Sequence, residues 1–156
     1  MSSQPLTNEV VWDIETDNLL DSLTKLHVFS WQLNDDPIKS TADPEVIREV
    51  MTQDDTLYIG HNIIQFDLPA LRKLNIVDVP WTKCADTLGL SWVLFPERQR
   101  HGLDPWGEDL GIMKPKVDDW QGLSYEEYAH RCSEDVAINH LLWVKMKDKL
   151  GELYGN

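Results

Sequence analysis

The sequence predicts an α/β domain built on a mixed, five-stranded sheet flanked by helices. Residues 9–15 and 25–33 alternate apolar and polar side chains with a period of two, the pattern of half-buried strands. Asn34-Asp35-Asp36-Pro37 is a hairpin-type turn that joins the second run to a short third strand at residues 38–40. Helix and strand signals then alternate along the chain, which adds a fourth and a fifth strand and gives a mixed sheet.

Taken in order, residues 9–15 place Val11, Asp13 and Glu15 on one strand face and Val10, Trp12 and Ile14 on the other. Residues 17–22 form a turn carrying Leu19 and Leu20, either of which can serve as core. In the second strand His27 falls in the alternation as a structural residue. Asp43-Pro44-Glu45 starts a helix, with an N-cap, a proline and an acid in the first turn, and the helix runs to about Met51. Thr56-Leu57-Tyr58-Ile59-Gly60 is a short buried strand. Asp67 opens a helix through about Leu74, where Pro69 is tolerated in the first turn. Cys84-Ala85-Asp86 is a brief strand, with Asp86 capping a helix over residues 87–95. Residues 96–122 are the least regular stretch, helical at 103–110, and collect Arg98, Arg100, His101, Lys114 and Lys116. Ser124-Tyr125-Glu126-Glu127 reads as a capping box, and the last helix is expected from about Ser133 to Leu150. Trp12, Trp31 and Trp143 read as core. No repeat, low-complexity tract or linker divides the chain, so residues 1–156 read as one domain with its core at about 9–150.

At 156 residues and 42% apolar composition the chain can bury a substantial core. It contains no apolar run approaching the roughly 18 residues of a membrane helix. Residues 1–8 lack the charged and apolar regions of a signal peptide, so the expected location is the cytoplasm. Cys84 and Cys132 do not make a disulfide framework and read as reduced. The 27 acids against 14 Lys and Arg give a net charge of −13. That balance argues against a tight grip on long duplex, whose affinity comes from cations on phosphates. A short single-stranded end held by metals and stacking suits it better, as does a more basic partner.

Asp13 and Glu15 share a strand face beside an apolar residue. Burying two carboxylates together is costly unless something positive joins them. A pair of divalent cations, which take hard oxygen ligands, is the natural answer. Asp67, in His61-Asn62-Ile63-Ile64-Gln65-Phe66-Asp67, and Asp135, in His130-Arg131-Cys132-Ser133-Glu134-Asp135, complete a four-carboxylate cage.

In that order and over that span, Asp-x-Glu, Asn-x3-Phe-Asp and His-x4-Asp resemble the DEDD superfamily of 3′→5′ exonucleases. More narrowly, the chain looks like the proofreading domain of phage family A DNA polymerases. Leu19-Leu20-Asp21-Ser22, Phe66-Asp67-Leu68-Pro69-Ala70-Leu71, Cys84-Ala85-Asp86-Thr87-Leu88 and Trp106-Gly107-Glu108-Asp109-Leu110-Gly111 also have counterparts there. The resemblance implies a ribonuclease H-like fold and phosphodiester hydrolysis with two magnesium or manganese ions. It implies that Asp13 bridges both ions, that Glu15 and Asp135 hold the water-activating one, and that Asp67 binds mainly the second. His130-Arg131-Cys132-Ser133-Glu134-Asp135 is similar to the third motif of the histidine subclass, in which the histidine takes a proton from the attacking water. Phage polymerases usually carry a tyrosine four residues before the aspartate, where this chain has Arg131, which leaves Arg131 and Tyr128 open as groups facing the water. Thr16, Leu19, Asn62 and Phe66 occupy the positions that touch the 3′ end in the family, although Phe66 before a helix also suits the core. The function expected is a stand-alone 3′→5′ exonuclease acting on single-stranded DNA 3′ ends, in the manner of a separate proofreading subunit. The expected partner is a DNA polymerase or another replication protein, with no membrane. The alternatives are an exoribonuclease of the same superfamily and a non-catalytic polymerase-associated subunit.

Overall fold

A computed structural model describes residues 6–112 and 122–155. Lys114, Lys116, Asp118, Asp119 and Trp120 lie outside them. Five strands form one sheet, β1 (Asn8–Thr16), β2 (Leu26–Leu33), β3 (Lys39–Thr41), β4 (Thr56–Gly60) and β5 (Cys84–Asp86), in the order β3-β2-β1-β4-β5. The β1/β2 and β2/β3 pairs are antiparallel, as the hairpin signals require, and the β1/β4 and β4/β5 pairs are parallel. The helices are α1 (Pro44–Met51), α2 (Leu68–Lys73), α3 (Thr87–Leu94), α4 (Leu103–Leu110) and α5 (Tyr125–Tyr154). The fold class is the one the sequence predicts, an α/β mixed five-stranded sheet with helices on both faces.

The period-two pattern of β1 divides the core. Val10, Trp12 and Ile14 pack with Phe29, Tyr58, Ile47 and Met51 of α1 and Leu71 of α2. On the opposite face Val11 and Ile59 meet Trp106 of α4 and Val136, Leu142, Trp143 and Met146 of α5. Trp106, which has no assignment from sequence, is thus a core residue, while Trp81 and Trp92 are exposed. The central strand β1 runs between these layers and delivers Asp13 and Glu15 to the α5 side.

Caps set the helix starts as read from sequence at α1 and α3. Asp43 accepts the Glu45 N–H at 2.9 Å, and Asp86 accepts the Leu88 N–H at 2.9 Å. The last helix differs. It starts at Tyr125, eight residues before the expected Ser133, because the capping box at Ser124 is its own N-terminus: the Glu127 N–H donates to Ser124 Oγ at 3.2 Å. Residues 125–132 contain no helix breaker, and Tyr128, Cys132, Val136, Asn139, Trp143 and Met146 form one buried stripe. The helix is 30 residues long, so Asp135 sits in its interior rather than at its lead-in.

Three further expectations change or gain detail. A π-helical turn, Ile63–Asp67, precedes α2, so Asp67 ends that turn as well as standing at the N-cap of α2, where the sequence places it. Arg98 pairs with Asp109 at 2.5 Å and lies 3.7 Å over the Trp106 ring; Arg100 approaches Glu108 at 3.9 Å; His101 is buried between Ser91 and the Arg98 carbonyl. These cations brace the α3–α4 connection. Finally, the alternation of β2 breaks at His27, as shown below.

Candidate active site

Asp13, Glu15 and Asp135 come together at the C-terminal end of β1. One carboxylate oxygen from each lies within 4.8 Å of the others. Antiparallel pairing sets Asp13 opposite Ser30, and α5 crosses this end of the sheet so that Cys132 and Asp135, one turn apart, face β1. The Cys132 thiol, fully buried, donates to Asp13 Oδ2 at 3.6 Å. Burial, and next the charge of Asp13, push that thiol well above its usual range, so it stays a donor.

Asp67 joins the group from the other side. It is 5% exposed, and its Oδ2 is buried without a hydrogen-bond partner. Burial pushes its carboxyl well up, and the charges of Glu15, Asp86 and Asp135 add to this, while a hydrogen bond from the Ile14 main chain opposes it. Burial likewise raises Asp13 first, and the charges of Asp135, Asp67 and Glu15 follow. A positive charge bound among these acids would relieve the two raised carboxyls, Asp13 and Asp67.

Two local devices aim Asp67. Gly60 ends β4 where a Cβ would stand 2.2 Å from Ile63 Cγ2, so only glycine lets the chain turn back on itself here. Asn62 then takes a left-handed conformation at φ 62° and ψ 30°. Asp86 clamps the turn from β5, accepting the Asn62 N–H at 2.8 Å and the Ile64 N–H at 3.1 Å. Sequence reasoning gave Asp86 the role of helix cap. The structure adds this second role, which no single-segment signal could reveal. The π turn carries Asp67 as its last residue, and π geometry of this kind is common at functional sites.

Beside the carboxylates runs a cleft of about 670 Å³ lined by Glu15, Thr16, Leu19 and Phe66. Of the two leucines Leu19 is 79% exposed at the cleft, whereas Leu20 packs on the core. Phe66 does both, touching the core and facing the cleft. The Thr16 hydroxyl donates to the Asn18 carbonyl at 3.0 Å. Asn62 stands outside the cleft lining, at the turn that Asp86 holds. Lys25, His27 and Tyr128 complete the wall, and sequence reading did not assign them to it.

His130 is 69% exposed, and its Nε2 pairs with Glu134 Oε1 at 2.6 Å. Five residues from Asp135, it lies about 140° around the helix from it. Arg131 is about 40° from the Asp135 direction and Tyr128 about 20°. The carboxylate donor set is all oxygen, suited to a hard divalent cation rather than zinc. The orphaned Asp67 oxygen and the raised carboxyls of Asp13 and Asp67 fit such a cation.

No family model and no curated protein matches the sequence. Solved structures do. Brucella melitensis NrnC with bound Mg2+ superposes with a TM-score of 0.71 at 22% identity, covering 96% of this chain and 76% of that one, and a nuclease in its apo form gives 0.70 at 18%, covering 93% and 74%. NrnC bound to pGG matches at 0.72 and 20% identity, again covering 96% and 76%. Escherichia coli exonuclease I in complex with a dT13 oligonucleotide gives 0.58 and 16%, covering 95% of this chain and 42% of that one. At these identities the likeness establishes a ribonuclease H-like fold.

Proposed function

We propose that this protein is a metal-dependent 3′→5′ exonuclease that hydrolyses phosphodiester bonds at single-stranded DNA 3′ ends. The observation that carries this is the convergence of Asp13, Glu15 and Asp135 within 4.8 Å beside the buried, unsatisfied Asp67. Magnesium bound in NrnC and the oligonucleotides bound in NrnC and exonuclease I support it. Asp13, Glu15, Asp67 and Asp135 would hold two Mg2+ or Mn2+ ions, with Asp13 shared between them. Divalent cations in such a cage supply stabilisation of the charge that develops on a phosphodiester and make water a better nucleophile near neutral pH.

The rest falls to the chain's own groups. The Cys132 S–H fixes one oxygen of Asp13 and so its orientation. Leu19 wedges against the terminal base while Phe66 stacks on it, a sequence-tolerant contact worth about 1–3 kcal/mol per base. Thr16 and Asn62 bond the terminal sugar or phosphate. We assign His130 the proton of the attacking water, which it can reach only by leaving the Glu134 carboxylate it pairs with at 2.6 Å. In the biological setting this reading implies, the protein works in the cytoplasm as a proofreading subunit of a phage-type replication system beside a DNA polymerase. A short-oligonucleotide or RNA substrate is the second reading, favoured by the pGG bound in NrnC.

The test is turnover of end-labelled DNA and RNA oligomers with Mg2+ or Mn2+, with and without chelator. Release of 5′-mononucleotides from the 3′ end is expected, abolished by chelation and by Asp67→Ala in a variant that still unfolds cooperatively. Unimpaired turnover by a folded Asp67→Ala protein would refute the site.

A further inference from the structure

Lys25 and His27 stand where the geometry of β2 is irregular. Glu15 pairs with Val28 but Thr16 pairs with Leu26, so His27 is an extra residue with no partner in β1. Such a bulge re-aims a side chain, and bulges concentrate beside active sites. The neighbours show the result. Leu26 and Phe29 pack in the core on the α1 and α2 side, whereas Val28 packs against Tyr128 and Cys132 of α5. Between them His27 also turns to the α5 side, stacking on the Tyr128 ring at 4.1 Å and 6°. Two consecutive residues thus share one face, which a regular strand forbids. Val28 takes the buried place, and His27 is left at the wall of the cleft.

Lys25 precedes this bulge, exposed at the same wall. The loop from Asp17 fixes its backbone. Asp17 accepts the N–H groups of Thr24 at 3.0 Å and Lys25 at 3.1 Å and the Thr24 hydroxyl. The Asp17 carboxylate, which also lines the cleft, is held by these bonds at the neck of its own loop. Among the residues lining the cleft, Lys25 and His27 are the cationic or potentially cationic ones, in a chain of net charge −13.

We propose that Lys25 and His27 form a subsite for the sugar-phosphate of the nucleotide on the 5′ side of the scissile bond, the part of the strand that leaves in each cycle. This rests on the exonuclease reading. With the terminal nucleoside between Leu19 and Phe66 and the scissile phosphate at Asp13 and Glu15, the strand passes the Lys25–His27 wall. Donors there meet the next phosphate diester. The wall is how a very acidic protein grips a polyanion near its metals, and it makes these residues determinants of strand binding rather than of bond cleavage.

The experiment compares two substrates. One is a short oligothymidylate. The other is the p-nitrophenyl ester of thymidine 5′-monophosphate, which offers the same scissile phosphate and terminal nucleoside but no upstream sugar or phosphate. Lys25→Ala and His27→Ala are each expected to lower kcat/KM on the oligomer about tenfold, the scale of one hydrogen bond to a charged group, and to leave the ester within about twofold. Lys25→Ala should also reduce the salt slope of oligomer binding by about 0.7, one phosphate contact to a single strand. Equal losses on both substrates would overturn the subsite, as would no loss on either. Lys25 is exposed, so its variant carries the test if His27→Ala disturbs the bulge. Wild-type protein inert on both substrates with Mg2+ and Mn2+ would instead bring down the exonuclease reading and the subsite with it.

Discussion

Replacing Asp13 with Asn should make the metal-free protein more stable and deprive the magnesium-loaded protein of its advantage. Oxygens of Asp13, Glu15 and Asp135 lie within 4.8 Å of one another, and at an effective dielectric near 20 two unit charges at that separation repel by about 3.5 kcal/mol. Partial protonation of the raised Asp13 and Asp67 carboxyls already relieves some of this, so about 2 kcal/mol remains to be gained. For a domain of this size that is a rise in Tm of about 4–8 °C in chelator. Magnesium at a hundred times its Kd should stabilise the wild type by about 2.7 kcal/mol, and the variant, short of a shared ligand, by far less. Circular dichroism melts in chelator and in millimolar MgCl2, at neutral pH, read both quantities. The sign of the pH dependence adds a check. Asp13 and Asp67 have raised pKa values in the fold, so their stabilising contribution is complete below about pH 4, the unfolded value, and is lost as pH rises through the folded values. Asp17 acts in the opposite sense, because the hydrogen bonds from Thr24 and Lys25 lower its pKa, so its contribution is complete above about pH 4 and is lost as pH falls toward the folded value. Above about pH 4 the metal-free protein should weaken with rising pH, and magnesium should cancel the slope. A lower Tm for Asp13→Asn in chelator, or an undiminished magnesium shift, would refute the reasoning.

His130→Ala should cost about two to four orders of magnitude in turnover while metal-induced stabilisation survives, measured by single-turnover kinetics beside melts; near-normal rates in that variant with a dead Tyr128→Phe or Arg131→Ala would transfer the proton-handling role to α5's buried face. The net charge of −13 predicts distributive digestion of short single strands that weakens steeply with salt, so processive degradation of kilobase duplex by the isolated chain in a gel assay would contradict it. Gly60→Ala should destabilise by about 1–3 kcal/mol, because its Cβ meets Ile63 Cγ2 at 2.2 Å, and should lower magnesium affinity by displacing the turn that carries Asp67; an unchanged Tm would show that the turn yields.

Most of the framework was legible because its signals are local. Period-two alternation gave β1 its two faces, one with Trp12 and Ile14 and one with Asp13 and Glu15, since Cβ direction along a strand needs no knowledge of the partner. Asp43, Asp86 and Ser124 cap helices through bonds to residues two or three positions on, so short sequence windows contain them. The start of α5 was misplaced because the capping box and the stripe from Tyr128 to Met146 were read as separate signals, though together they specify one helix.

By itself, then, the sequence determined the fold class, the order of elements and the four acids that the fold brings together. What only the tertiary structure decided arises between segments far apart in the chain. Cys132 donates to Asp13 across 119 residues, and Asp86 holds the turn of Asn62 across 24. The break at His27 depends on its pairing with β1; the adjacent apolar Val28 and Phe29 mark a change of phase in the strand but do not locate the bulge. That Leu19 is exposed while Leu20 is half-buried against the core depends on how the loop closes over it. Alternation and capping are written in neighbouring residues. Register, bulges and shared hydrogen bonds are written in the packing, where the site acquires its shape.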